Sequence, residues 1–421
     1  MLKEEDFKDE IMDLEESIEN LILKKAKLST CKILLEKIGT GFFCRIPIEN
    51  NNIMVLLTNN KIINENYLQL GKMIKLSYKN ELKKITINEK RFYCINNILN
   101  YTCIQILESD LIEDFYEIEN YNINIFNELN NEYLNDEISI PQYPKGKLIV
   151  KGGYIKNINN NIIKHTCIIG NNSIGSPILL NLRNFKVIGI FNEYLKEKKI
   201  NEGTFITPIS EDISKIFKLK ETLYNKAKKS TCKVMLPGIC STAFFCQIPF
   251  RNSNIKVLFT CNHVINENSL IIGKTIKLFY KEKEKEIEIT KERFCHSNQS
   301  LDYTCIQILE SDLIEDFYEI EEQYYENSSE EYLKDEIILP IYPQAGELKI
   351  SIGQLNYFRN EKIFYTIDSG FGAAGGPIIL KNRNYKVIGI HKAMRKKDGK
   401  KMGLSIKYIM DDINKVTGFN G

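Results

Sequence analysis

The chain has 421 residues, enough for two or three domains. Apolar residues make up 43% and charged residues 27%, a balance that gives a globular protein with real cores. The net charge is only +2, from 57 basic and 55 acidic residues, so composition offers no electrostatic case for nucleic acid or an anionic membrane as partner.

The start, "MLKEEDFKDEIMDLEES", is acidic and lacks an apolar core segment, so no signal peptide is expected. No apolar run of about 18 residues appears, so no membrane span is expected either. A first helix is predicted over roughly residues 4–28, where Phe7, Ile11, Leu14, Ile18, Leu21 and Leu23 recur at near-helical spacing. Beyond it, short β-branched and aromatic runs alternate with Asn, Gly and Lys turns, as in "FFCRIPI" (42–48) and "VLLT" (55–58).

These runs return later in the chain. "YTCIQILESDLIEDFYEIE" occurs unchanged at 101–119 and 303–321, and the match extends around it at a nearly constant offset. "STCKI" (29–33) pairs with "STCKV" (230–234), "FFCRIPI" with "FFCQIPF" (244–250), and "KVIGIF" (186–191) with "KVIGIH" (386–391). The chain therefore reads as a duplication, with copy one over 29–217 and copy two over 218–421. A linker helix is predicted over 210–229, with Ser210 as N-cap and Glu211 and Asp212 in its first turn. The final "IKYIMDDINKV" (406–416) is a matching helix. Within each copy the many short strands indicate a barrel or sandwich. "KEKEK" (281–285) and "RKKDGKK" (395–401) read as solvated loops, and the acidic, aromatic tract 318–337 as a surface connection. The eleven Cys form no CxxC pair, and Cys44, Cys103, Cys246 and Cys305 fall inside apolar runs. Buried free thiols in the cytoplasm or another reducing intracellular compartment are expected.

Three features of copy two fall in a telling order: His263 in "LFTCNHVI", Asp302 in "LDYTCIQIL", and the glycine-rich turn "GFGAAGGPIIL" (370–380). A base, a carboxylate that holds it, and a turn whose backbone N–H groups converge are the parts that acyl transfer needs. Here the sequence resembles the trypsin-like, chymotrypsin-fold serine peptidases, closest in motif style to the cysteine-poor HtrA-type and glutamyl-endopeptidase-type members. "TCNHVI" is similar to the family's T-x-x-H-V segment, "DYTCIQI" to its D-[YIL]-[AT]-x-[IL] segment, and "GAAGGPI" to its G-x-S-G-[GS]-P-[IVL] segment. The resemblance implies an all-β fold of two tandem chymotrypsin-like double β-barrel domains, with short terminal and linker helices.

It also implies roles. His263 falls on the general base, Asp302 on its orienting carboxylate, and Gly372 and Ala374 on the oxyanion-hole N–H groups. Ala374 stands where the family has its nucleophilic serine, so no acyl-enzyme forms there. Ala373 stands where secreted trypsins carry an activation Asp. Asp368, Ser369 and His391 fall on the specificity pocket and conflict: Asp368 favours a basic residue before the scissile bond, and Ser369 with His391 an acidic one. In copy one, Lys61, Asn100 and Ile174 replace the three triad members, and Asn172 replaces Gly372. His165 and His296 fit no motif and are expected at the surface or hydrogen-bonded in structural roles. His and Cys show no metal-ligand spacing, so neither metal nor cofactor is expected. The expected partner is a peptide or protein, as substrate or ligand. Two accounts of Ala374 stay open: an inactivated form of an endopeptidase, or a natural pseudo-peptidase that binds.

Overall fold

The computed structural model describes residues 19–49, 51–88, 90–119, 132–195, 200–236, 239–250, 253–321, 335–343, 346–367, 372–381, 384–394 and 400–418. The chain divides into two compact units, Met1–Leu219 and Lys220–Gly421. A helix covers 19–29; the rest of the predicted first helix and most of the tract 318–337 lie outside the described residues. No described helix is long and apolar enough to cross a membrane.

In unit 1, β1 (Thr30–Leu34), β2 (Ile38–Ile48), β3 (Asn51–Thr58), β4 (Met73–Tyr78), β5 (Glu81–Thr86), β6 (Tyr93–Asn96), β7 (Tyr101–Gln105) and β8 (Tyr116–Glu117) form one sheet. Its order is β5-β4-β1-β2-β3-β7-β6, with β8 on β2. β9 (Glu137–Gln142), β10 (Ile149–Asn159), β11 (Ile162–His165), β12 (Pro177–Leu180), β13 (Lys186–Leu195) and β14 (Ile200–Phe205) close a barrel in the order β9-β10-β11-β14-β13-β12.

Unit 2 repeats this order strand for strand. Its sheet holds β15 (Thr231–Leu236), β16 (Ile239–Phe250), β17 (Ser253–Thr260), β18 (Thr275–Tyr280), β19 (Lys283–Glu288), β20 (Cys295–Asn298), β21 (Tyr303–Gln307) and β22 (Tyr318–Glu319). Its closed barrel holds β23 (Glu336–Ile341), β24 (Lys349–Arg359), β25 (Lys362–Thr366), β26 (Pro377–Leu380), β27 (Val387–Met394) and β28 (Lys401–Ser405). The chain is thus two tandem chymotrypsin-like double-barrel domains. A parallel bridge, Ile118 to Val187 in unit 1 and Ile320 to Val387 in unit 2, ties sheet to barrel.

The first sheet of each unit departs from a closed barrel. β6 pairs only with β7, and β5 only with β4, so a gap separates them. A buried arginine spans it. Arg293 Nε donates to Glu288 O at the end of β19, and its terminal nitrogens donate to Gln307 O at the end of β21 and to both Asp312 oxygens, at 2.6 and 3.0 Å. Arg91 does the same between Thr86, Gln105 and Asp110. Guanidinium donors thus serve carbonyls that strand pairing leaves open.

"KEKEK" is not a loop. Lys281 and Glu282 make the turn, and Lys283 starts β19, whose register puts Glu286 opposite Lys277 with an ion pair of 3.4 Å. Alternating charges here are the solvent face of a strand. Of "RKKDGKK", residues 395–399 lie outside the described ones and Lys401 opens β28.

The linker helix is Ile206–Ser230, four residues longer at its start than predicted. Pro208 is tolerated in the first turn, where N–H groups have no intrahelical partner, so Ser210 lies buried inside the helix instead of capping it. The final helix, Ile406–Thr417, buries Ile406, Ile409, Met410 and Ile413 and ends on Gly418 in the left-handed conformation, φ 69°. One carboxylate docks each helix. Asp412 accepts from Tyr303 Oη (2.7 Å), Asn298 Nδ2 (2.8 Å) and His296 Nε2 (2.8 Å); Asp212 accepts from Tyr101 Oη (2.6 Å) and Asn96 Nδ2 (2.8 Å).

Replacing Arg293 by Met leaves Asp312 buried without its ion partner. The expected cost is about 3–5 kcal/mol, read as a lower urea midpoint; an unchanged midpoint would show that the guanidinium does not close the sheet.

Candidate active site

His263 lies in the turn after β17, and Asp302 in the turn that leads into β21. Asp302 has a left-handed backbone, φ 58°, a conformation that Asn and Asp tolerate better than other side chains. This aims the carboxylate back at the preceding turn. Its Oδ1 accepts from the His263 backbone N–H at 3.0 Å, and Oδ1 and Oδ2 lie 3.0 and 3.1 Å from His263 Nδ1. An ionised carboxylate only accepts, so the ring proton sits on Nδ1 and Nε2 keeps its lone pair. Burial pushes the Asp302 carboxyl up, but the hydrogen bonds from His263 and the charges of His263 and Lys392 outweigh it and hold it below its ordinary value.

Lys392 was not legible as a site residue. Its Nζ lies 3.7 Å from Asp302 Oδ2 and donates to Leu301 O, on a side chain only 10% exposed. The one sequence cue was its place directly after His391, with Asn192 at the matching place in copy one.

The glycine-rich turn is anchored to β16. Thr242 N–H donates to Ala374 O (3.0 Å), Ser241 Oγ to the same oxygen (2.8 Å), and Thr242 Oγ1 to Gly372 O (2.9 Å). Gly372 and Gly375 have φ of 87° and 85°; a Cβ on Gly375 would meet Thr242 O at 2.1 Å. With both carbonyls engaged, the N–H groups of Gly372 and Ala374 have no acceptor among the described residues. Asp368 and Ser369 lie outside the described residues.

His391 is buried, and its Nδ1 meets Tyr365 Oη. Burial, helped by the charge of Lys401, pushes its imidazole down to about 3, and burial pushes the Tyr365 phenol well up. The phenol therefore donates to Nδ1, and the neutral ring carries its proton on Nε2. Unit 1 exchanges the two partners: His165 stands at the Tyr365 position and Phe191 at the His391 position, 5.9 Å apart between centroids. His165 is neither at the surface nor hydrogen-bonded, as the sequence led us to expect. It is fully buried, neither ring nitrogen has a partner among the described residues, and burial pushes it down to about 4. An aromatic pair was conserved in size between the copies while its polar member changed strands. His296, by contrast, is hydrogen-bonded, to Asp412.

Donor atoms of Cys261, His263 and Asp302 all lie within 4.8 Å of one another, a metal-capable set that spacing along the chain did not reveal because Asp302 arrives from a distant strand. The chemistry of the set opposes a cation. Burial pushes the Cys261 thiol well up and keeps it protonated, and Lys392 already supplies positive charge beside Asp302.

In unit 1 the matching positions keep their shape. Asn100 is left-handed, φ 54°, as are Asn172 (67°) and Gly175 (87°). Thr40 N–H donates to Ile174 O (3.0 Å) and Thr40 Oγ1 to Asn172 O (2.9 Å). Lys61 Nζ pairs with Glu193 Oε2 at 3.1 Å.

No family model matches the chain, and no curated protein does. Solved structures do. The active form of the Rv3671c protease from M. tuberculosis is 13% identical, with 47% of this chain and 85% of that one covered at a TM-score of 0.35. A human pathogenic astrovirus serine protease is 12% identical (44% and 93% covered, TM-score 0.32), and tobacco etch virus protease complexed with product is 11% identical (43% and 75%, TM-score 0.31). The fold assignment rests on the strand order and barrel closure, not on these scores.

The buried imidazoles set a pH dependence. Unfolded His takes up a proton below about 6.5, whereas His391 and His165 resist until about 3 and about 4. Between those values the unfolded state binds more protons, so stability is complete above about pH 6.5 and falls as pH drops toward 4. A Tyr365→Phe/His391→Phe double variant should flatten the fall in Tm between pH 7 and 4; an unaltered slope would remove His391 as a cause.

Proposed function

We propose that unit 2 is the site of a trypsin-like serine endopeptidase whose hydrolytic form has serine at position 374, and that the chain as it stands binds but does not cleave. The observation that carries this is the intact His263–Asp302 pair, Nε2 lone pair available, in the same unit as an anchored turn with two unpaired N–H groups. With a serine at 374, its Oγ attacks the scissile carbonyl, His263 Nε2 takes the proton and returns it to the leaving amine, and Asp302 holds the tautomer and stabilises the imidazolium. The oxygen that gains charge is received by the N–H groups of Gly372 and of position 374. Alanine supplies no hydroxyl, so no acyl-enzyme forms there. The neutral His391, donating from Nε2, and Lys401 near it favour an acidic residue before the scissile bond. The many buried free thiols suit a reducing compartment.

Unit 1 favours a second reading, in which Ala374 is natural and the protein is a pseudo-peptidase that holds peptides. Lys61, Asn100 and Ile174 show that a copy of this domain persists without any triad member. On either reading unit 1 is a degenerate peptidase domain. The codon at position 374 in the source gene separates the two readings.

Ala374→Ser should give hydrolysis of a peptide library, and adding His263→Ala should lower kcat on the order of 10⁴-fold or more. A folded Ala374→Ser protein without turnover would overturn the reading of a preserved site.

A further inference from the structure

We propose that unit 1 captures the free α-carboxylate of a peptide chain, with the Lys61 ammonium and the N–H groups of the Asn172–Ile174 turn as its donors. The proposal rests on reading unit 1 as a degenerate peptidase domain and names the ligand group it would take.

The turn has no reaction to serve, yet it is tethered at several points. Both turns share the threonine anchor from the first sheet. Unit 1 adds a second set of bonds around Gln142, and unit 2 adds Ser241 Oγ on Ala374 O. Gln142, fully buried, accepts the Gly170 N–H at 2.7 Å and donates to Ile168 O at 3.0 Å. Ser173 Oγ lies against Gln142 Oε1 and, at 2.7 Å, Gly170 O. Tyr342 and Ala373 stand at the matching places in unit 2. Asn172 holds the left-handed backbone that Gly372 holds in unit 2, at the cost that any non-glycine residue pays there. The Asn172 and Ile174 N–H groups have no acceptor among the described residues. Two backbone donors of one turn without an acceptor, one of them on a left-handed residue, fit an anion-binding nest.

Two of the replacements around the turn favour an anion, while Asn192 in place of Lys392 removes a positive charge. The base position has become Lys61, an ammonium with three donors and no acceptor. It cannot take a proton from a nucleophile, but it binds an anion. The carboxylate position has become Asn100, which removes the negative charge. The nucleophile position has become Ile174, which packs against the core of the first sheet. A peptidase cleft after hydrolysis holds a carboxylate between the base and the oxyanion donors, and unit 1 has a cation and backbone donors at the corresponding sequence positions.

One carboxylate already uses the cation. Glu193 on β13 lies 3.1 Å from Lys61 Nζ, with side chains 49% and 46% exposed. Such an exposed pair is weak, so an incoming carboxylate with two further N–H donors displaces it. Among the described residues, the other charges near Glu193 are Glu202, its cross-strand neighbour, and Lys164, which pairs with Glu202 at 3.9 Å. Glu193 thus competes for the cation and its removal should help the ligand.

The test uses the full chain and fluorescent heptapeptides with all twenty residues varied at the last position, made once as free acids and once as C-terminal amides. Anisotropy should show the acids binding at least tenfold tighter than the amides. Lys61→Met should abolish that preference, and Glu193→Gln should strengthen acid binding severalfold. Both side chains are half-exposed, so thermal melts should confirm folded variants. Equal binding of acids and amides, or a preference that survives Lys61→Met, overturns the carboxylate site while leaving peptide binding intact. Failure of both sets to bind overturns the peptide-binding reading as well.

Discussion

The site depends on a left-handed backbone at two places, the residue before β21 and the first residue of the anchored turn. At the first, Asp302 turns back so that one carboxylate reaches both the backbone and the ring of His263. At the second, Gly372 lets its own carbonyl meet Thr242 while its N–H stays unpaired. Few residues are at ease in that conformation: glycine, and then Asn and Asp, whose short polar side chains compensate locally. Unit 1 has Asn at both, Asn100 and Asn172. Asparagine keeps the backbone shape and discards the carboxylate's charge. The backbone shape therefore recurs in unit 1 without the carboxylate, because asparagine satisfies the same backbone constraint.

The frame around these turns is held by few, buried polar contacts. The open side of each first sheet is bridged by one guanidinium, and each following helix is docked by one carboxylate. Removal of one partner of such a contact strands a buried charge or donor, which costs more than the contact gains. This explains why Arg, Asp and Tyr recur at these places in both copies while loop residues have diverged.

Much of this could be read from residues near one another in sequence. The strands announce themselves by period and composition, the duplication by an unchanged stretch of nineteen residues, and His263, Asp302 and the turn by short local patterns. What was hidden depends on distant strands meeting. Lys392 reaches Asp302 from another sheet, and Cys261 completes a donor cluster only once Asp302 arrives. The exchange of His165 and Phe191 for Tyr365 and His391 shows only when two strands of one barrel are compared in register. Local signals also misled where tertiary packing overrode them. Ser210 looked like a cap, but burial of Ile206 and Ile209 carries the helix past it. Alternating Lys and Glu looked like a loop, but cross-strand pairing with β18 makes it a strand. Asp368 and Ser369, two of the three residues expected at the pocket, lie outside the described residues.

Lys392 also orders the ways in which such a site is lost. Asp302 serves two cationic or potentially cationic neighbours, His263 at 3.0 Å and Lys392 at 3.7 Å. Loss of the nucleophile removes one hydroxyl and leaves this charge cluster whole. Loss of the carboxylate would leave a nearly buried ammonium beside an imidazole with nothing to offset it, a penalty of several kcal/mol for an unpaired buried charge. The two positions are thus coupled, and unit 1 shows the coupled outcome: Asn100 replaces the carboxylate, and Asn192 replaces the ammonium and bonds instead to Asn59 at 2.9 Å and to Thr204 at 2.7 Å. A neutral amide network stands where the charged one was. Physical coupling of this kind holds Asp302, His263 and Lys392 together in unit 2 whatever side chain stands at position 374.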